Sequence, residues 1–79
     1  MKGHEMTMDR LLPGQRAEIQ RLATQGAMRR RLLDIGLIPG AKIQCVGRSP
    51  MGDPSAFLIR GAVIAIRRKD CSSIIVERI

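Results

Sequence analysis

The stretch from Met28 to Gly40, MRRRLLDIGLIPG, constrains the fold most, because it encodes both a helix and the place where that helix must stop. Met28, Leu32 and Ile35 fall at i, i+4 and i+7 and share one helical face. Leu33 widens that face, while Arg30, Arg31 and Asp34 point away from it. Gly36 stands where a left-handed residue must end the helix, a conformation that costs any residue with a Cβ. With Gly36 at C′, Leu37 is C″ and Leu32 is C3, the pair whose apolar contact closes a Schellman motif. Pro39 cannot continue the helix, and Pro39-Gly40 turns the chain into the next segment. Thr24 is the expected N-cap.

The rest of the chain reads as short strands. Residues 1–6 show no period and are expected to form a frayed tail, with the domain running from 7 to 79. Thr7 is placed to cap a single turn over Met8 to Leu12, which Pro13-Gly14 ends. Gln15 to Leu22 alternates around Ala17 and Ile19, with Arg16, Glu18 and Gln20 opposite, as in a half-buried strand. Ala41 to Arg48 repeats the pattern, with Ile43 and Cys45 on one face and Val46 on the other. Ser49 to Pro54, SPMGDP, must be a loop. Ser55 to Ile59 and Val63 to Ile66 flank Arg60-Gly61-Ala62 as a hairpin. Arg67 to Ser72 reads as a polar turn, and Ser73 to Ile79 as a last strand. The expected fold is mainly β: a small, partly open barrel of about five strands with one inserted helix, since closure hides strand edges.

Composition narrows the functions open to such a barrel. Phe57 is the sole aromatic residue besides His4, and in a strand-like run it belongs to the core. Proline-peptide grooves, methyl-lysine cages and base-stacking platforms are built from aromatic faces, so each is disfavoured. Fourteen Lys and Arg against 7 Asp and Glu give a net charge of +7, which favours acidic partners. The basic clusters are Arg29 to Arg31 and Arg67 to Lys69. Three consecutive helical arginines fan around the helix, so they do not all meet one flat partner, and Arg30 with Asp34 forms an ordinary i, i+4 pair. A basic nucleic-acid-binding barrel is therefore the second reading, with the missing aromatics against it.

The chemistry-bearing residues are few. His4, the one histidine, lies in the expected tail, so no Ser-His-Asp or Cys-His arrangement is assembled and no catalytic residue is assigned. No GxxxxGK[ST] stretch is present to cradle a nucleotide phosphate. Cys45 and Cys71 lack the close spacing of a zinc motif, and no metal or cofactor site is assigned. Cys45 alternates with Ile43 and reads as a small buried hydrophobe, whereas Cys71 sits among polar residues and reads as an exposed thiol. No apolar run approaches a membrane span or a signal sequence, so a cytoplasmic chain with reduced thiols is expected.

Several features coincide in order and spacing. Pro13-Gly14 precedes the first strand, RRLLDIGLIPG ends the helix, and AKIQCV opens the next strand. Pro50, Gly52, Asp53 and Pro54 mark the loop, followed by Arg60-Gly61 and Ile64-Ala65-Ile66-Arg67-Arg68. Together these resemble the FeoA family of ferrous iron transport proteins, over nearly the whole chain. The resemblance implies an SH3-like barrel with an inserted helix, held at the inner face of the membrane by contact with FeoB, the G-protein-containing ferrous iron transporter. It also implies a protein that acts by contact. FeoA-like domains end some metal-dependent transcriptional regulators, which leaves self-association through the barrel as a further reading.

For the partner surface the residues themselves point to two stretches. Leu37, Ile38 and Pro39 follow the helix stop, and Met51, Gly52 and Asp53 lie in the prolyl loop. Leu37 is largely claimed by the cap; Ile38 and Met51 are expected to stay exposed, as an apolar docking surface rimmed by arginine.

Overall fold

The computed structural model describes residues 4–79, so the part of the expected tail at 1–3 lies outside the described residues. In chain order the elements are β1 (His4–Thr7), a 3-10 turn (Met8–Arg10), β2 (Arg16–Leu22), α1 (Gly26–Asp34), β3 (Lys42–Arg48), β4 (Ser55–Ile59), β5 (Ala62–Ile66), α2 (Arg68–Cys71) and β6 (Ile74–Arg78). The strands form one antiparallel sheet in the order β1-β6-β2-β3-β4-β5. It is mainly β, an open six-stranded sheet rather than one of five strands.

The extra strand is a correction. Residues 4–6 are not a tail: β1 pairs with β6 from His4 opposite Arg78 to Thr7 opposite Ile75. The half-buried Met6 packs against the core from this strand. What orders the segment is a partner at the other end of the chain, so local pattern carries no sign of it. Thr7 precedes the 3-10 turn without a side-chain capping bond, and the turn ends at Arg10.

Alternation builds the core, and bulges correct its phase. Ala17, Ile19 and Leu22 of β2 are buried, a break in the two-residue period. The register against β6 shifts between Ile19 and Arg21, and that bulge turns Leu22 back inward. Ile43 and Cys45 of β3, Phe57 and Ile59 of β4, Ile66 of β5, and Ile74 and Val76 of β6 complete the strand layer. Met8, Leu11, Leu32 and Leu37 close it from outside the sheet. Each fully buried aliphatic or aromatic side chain contributes roughly 1.5–3 kcal/mol.

The helix ends as its sequence requires. The Gly36 N–H donates to Leu33 O at 3.0 Å and the Leu37 N–H to Leu32 O at 3.1 Å, the paired bonds of a Schellman motif. Gly36 has φ +110°, and a Cβ there would run into the Arg60 side chain and sit 3.1 Å from Ile59 Cγ2. Glycine is thus needed both for conformation and for space. The start differs from expectation: Gln25 is the N-cap, without a side-chain bond. The Thr24 hydroxyl pairs with the Ser73 hydroxyl instead, tying the approach to α1 onto the start of β6.

The hairpin is tighter than its three-residue reading. Arg60 (φ 52°) and Gly61 (φ 82°) form a two-residue left-handed turn, and Ala62 already belongs to β5. The expected polar turn after β5 holds α2, whose first N–H, that of Arg68, donates to Asp53 Oδ1 at 2.9 Å.

Candidate partner-binding surface

The turn between α1 and β3 is stitched into the barrel. The Gly40 N–H donates to Ile19 O, and the Ile19 N–H to Ala41 O, each at 2.8 Å. The Ala41 N–H donates to Ile38 O at 3.0 Å. Leu37 is 0% exposed, so it anchors this turn from the core and is not part of any contact surface. That corrects its inclusion among the surface residues: its side chain is taken wholly into the core cluster that also holds Leu32. Ile38 is 45% exposed and Pro39 is also exposed.

Among the described residues, the hydrogen bonds that hold the loop after β3 are two within its own backbone and one to a side chain. The Ser49 N–H donates to Pro54 O at 3.0 Å and the Gly52 N–H to Ser49 O at 2.8 Å. Met51 at the tip is 91% exposed. Asp53 is exposed too, but its carboxylate already accepts the Arg68 N–H, so it orders the loop against α2.

These two stretches do not form one surface. They flank β3, whose seven residues span roughly 20 Å of extended chain. Ile38 lies at the end marked by the Arg60-Gly61 turn, since Ile43 pairs with Ile59. Met51 lies at the other end, beside Ser55 and α2. Adjacency in sequence across a strand places two loops at opposite ends of it.

The thiols are both free and buried. Cys45 takes its expected inward place on β3. Cys71 overturns the exposed reading: the single turn of α2 swings it inward to 1% exposure. Burial, and after it the negative charges of Asp9, Asp70 and Asp53, push its pKa up to about 12. A thiol so held is protonated at neutral pH and a poor nucleophile or metal ligand. Among the described residues no three His, Cys, Asp or Glu are grouped to hold a metal ion. No helix among them is long and apolar enough to cross a membrane.

One feature escaped the sequence reading. A groove of about 250 Å³ runs between α1 and β5. Met28, Leu32 and Ile35 line it from the helix and Ile64 and Ile66 from the strand, and the exposed Arg31 and Arg67 border it. Its helical wall is legible as the apolar face of α1, but its other wall requires knowing that β5 ends the sheet.

The FeoA domain model matches residues 6–78. The chain belongs to the FeoA family. That family is linked to ferrous iron transport: over 74 residues the chain is 34% identical to the Fe(2+) transport protein A/Fe(2+) transporter FeoB fusion protein of Porphyromonas gingivalis. The match covers 94% of this chain and 9% of that protein, so the chain spans under a tenth of its length. The solution structure of the FeoA protein from Chlorobium tepidum is 36% identical with a TM-score of 0.88, covering 94% of this chain and 70% of that one. The crystal structure of Stenotrophomonas maltophilia FeoA, described as a prokaryotic SH3 domain protein, has a TM-score of 0.81 at 22% identity. It covers 91% of this chain and 89% of that one, and shows that the fold is SH3-like.

Proposed function

We propose that this FeoA chain is a small cytoplasmic accessory protein of ferrous iron uptake, acting without catalysis through contact with a FeoB-type membrane transporter. The observation that carries this reading is the relative in which transport protein A and the transporter are fused. Fusion holds two modules at effective concentrations of about millimolar order, which serves a pair that works in contact. A separate chain must reach the same state by docking, and needs an exposed surface for it. Met51, with Gly52 and Asp53 shaping its loop, supplies the most exposed large apolar side chain among the described residues. Ile38 and Pro39 are a second contact at the other end of the barrel, held out by buried Leu37. The net charge of +7 speeds encounter with an acidic transporter face.

The test is a nuclease-treated pull-down from iron-starved cells with the tagged chain as bait and mass spectrometry as readout. Recovery of the ferrous iron transporter by the native chain, and its loss with a folded Met51→Asp variant, supports the contact and its place. Absence of the transporter, or recovery only of nucleic-acid-associated proteins when nuclease is omitted, overturns it.

A further inference from the structure

The groove between α1 and β5 has a free strand edge along one wall. Sheet order ends at β5, so β4 is its one paired neighbour among the described strands. The two-residue turn makes Ile59 and Ala62 the hydrogen-bonded pair that closes the hairpin. Antiparallel alternation then makes Phe57 with Ile64 and Ser55 with Ile66 the other bonded pairs. The N–H and C=O groups of Val63 and Ala65 therefore point away from β4, along the open edge.

The helix lies beside that edge. Its Gly36 end meets Arg60, before β5, and its Met28 end faces Arg67 and Asp70, after β5. α1 thus runs antiparallel to β5 with the groove between them. At about 250 Å³ the space falls below the ~300–1,000 Å³ of small-molecule sites. A strand added to β5 would lie about 4.8 Å from it, where one or two of its aliphatic side chains could turn onto Met28, Leu32 and Ile35.

We propose that this groove binds an extended acidic-aliphatic segment of a partner protein, which adds as a strand to the free edge of β5. Main-chain bonds to Val63 and Ala65 supply affinity, and alternate side chains supply choice, as in other strand additions. Charge decides the class of segment. Arg31 and Arg67 border the groove against a single carboxylate, Asp70, so carboxylates on the segment are favoured. The same charges oppose a second copy of this chain, since edge-to-edge pairing of β5 brings two sets of Arg31 and Arg67, each on a +7 chain, to one seam. The occupant is defined by chemistry, independently of the transporter contact. A failed pull-down leaves it standing, and a failed titration leaves the pull-down reading untouched.

The probe is a short synthetic peptide alternating valine and glutamate, titrated into the isotopically labelled full chain and followed by amide NMR shifts and amide exchange. Saturable shifts centred on Val63, Ala65 and α1, with slowed exchange at Val63 and Ala65, are expected. A peptide alternating valine and lysine is expected to bind about tenfold more weakly or worse, as is the valine-glutamate peptide methylated on alternate amides. Ala65→Pro removes an outward N–H without touching the β4 pairing, and is expected to weaken binding to a similar degree. Arg31→Glu with Arg67→Glu turns the border wholly acidic and is expected to reverse the preference, so that the valine-lysine peptide binds the tighter of the two. No saturation up to about 1 mM peptide, shifts confined to the Met51 loop, or indifference to both peptide methylation and charge would overturn the proposal. So would dimerisation of the chain alone that Ala65→Pro abolishes, which would make a second copy the occupant.

Discussion

The two ends of β3 carry connections of equal prominence in the sequence and of different physical kind. At one end, Gly36 to Ala41 closes a helix, bonds twice to Ile19 and buries Leu37 completely. At the other, Ser49 to Pro54 closes on itself, leans on α2 through one carboxylate and leaves Met51 almost wholly in solvent. Both contain Pro, Gly and a large apolar residue. What separates them is whether that residue has a cavity waiting: Leu37 meets Leu32 across a cap, and nothing comparable faces Met51. Stability is therefore concentrated at the cap end, and the loop end is free to vary its side chains for contact.

Substitution at the cap end should give the largest effects. Leu37→Ala removes a fully buried side chain and should destabilise the domain by about 3 kcal/mol, within the usual 2–5 kcal/mol for such truncations. Denaturant unfolding followed by circular dichroism measures it, and a loss under about 1 kcal/mol would break the contrast between the two ends. Gly36→Ala should cost about 2 kcal/mol, because φ +110° is strained for alanine and its Cβ meets Ile59 and Arg60. Arg60→Ala in the same chain should relieve only the steric part, leaving most of the loss.

These are the features the sequence reading reached, and the reason is locality. The Schellman stop, the hairpin joining β4 to β5 (though not its two-residue length) and the inward phase of Ile43 and Cys45 depend on neighbours within a few residues. β1 was illegible because His4–Thr7 gains its order from β6, at the far end of the chain. Cys71 was misplaced because Lys69, Asp70 and Ser72 made its surroundings look solvated, whereas one helical turn separates them from it in direction. Thr24 has the right chemistry for a cap, but Ser73 competes for its hydroxyl from a distant segment. Of the candidate surface, exposure of Ile38 and Met51 was legible, but their separation along β3 and the groove beside β5 were not. Both follow from which strand lies at the edge.

The loop end should respond more to pH than to truncation. Cys71 is neutral in the folded chain to about pH 12, against an ordinary pKa of 9.0. Above pH 9 the unfolded chain releases this proton while the folded chain keeps it, so stability is full below pH 9 and falls as pH rises toward 12. Between pH 8 and 10 the loss should be about 1 kcal/mol, and Cys71→Ala should flatten that part of the profile. An unchanged slope in Cys71→Ala would mean that this end carries no buried titrating group of consequence. Asp53→Ala should cost about 1 kcal/mol or less, by freeing the first N–H of α2. Amide exchange at Arg68 should rise while exchange at Leu37 stays unchanged.

The smallest effect on stability belongs to Met51→Asp, and it is the sharpest probe of the contrast. A side chain 91% exposed loses almost no burial when replaced, so unfolding should shift by no more than about 0.5 kcal/mol. The same change puts a charge at the tip of an apolar contact, where desolvating an unpaired carboxylate is expensive. Transporter recovery should therefore fall while the melting curve stays in place. Ile38→Asp serves as the matched change at the cap end: Ile38 is about half exposed and sits on a turn bonded to β2, so its stability loss should be larger. If Ile38→Asp weakens transporter recovery as much as Met51→Asp does, contact is made at both ends of the barrel. The partner must then reach along the roughly 20 Å of β3, which a single apolar loop contact cannot do.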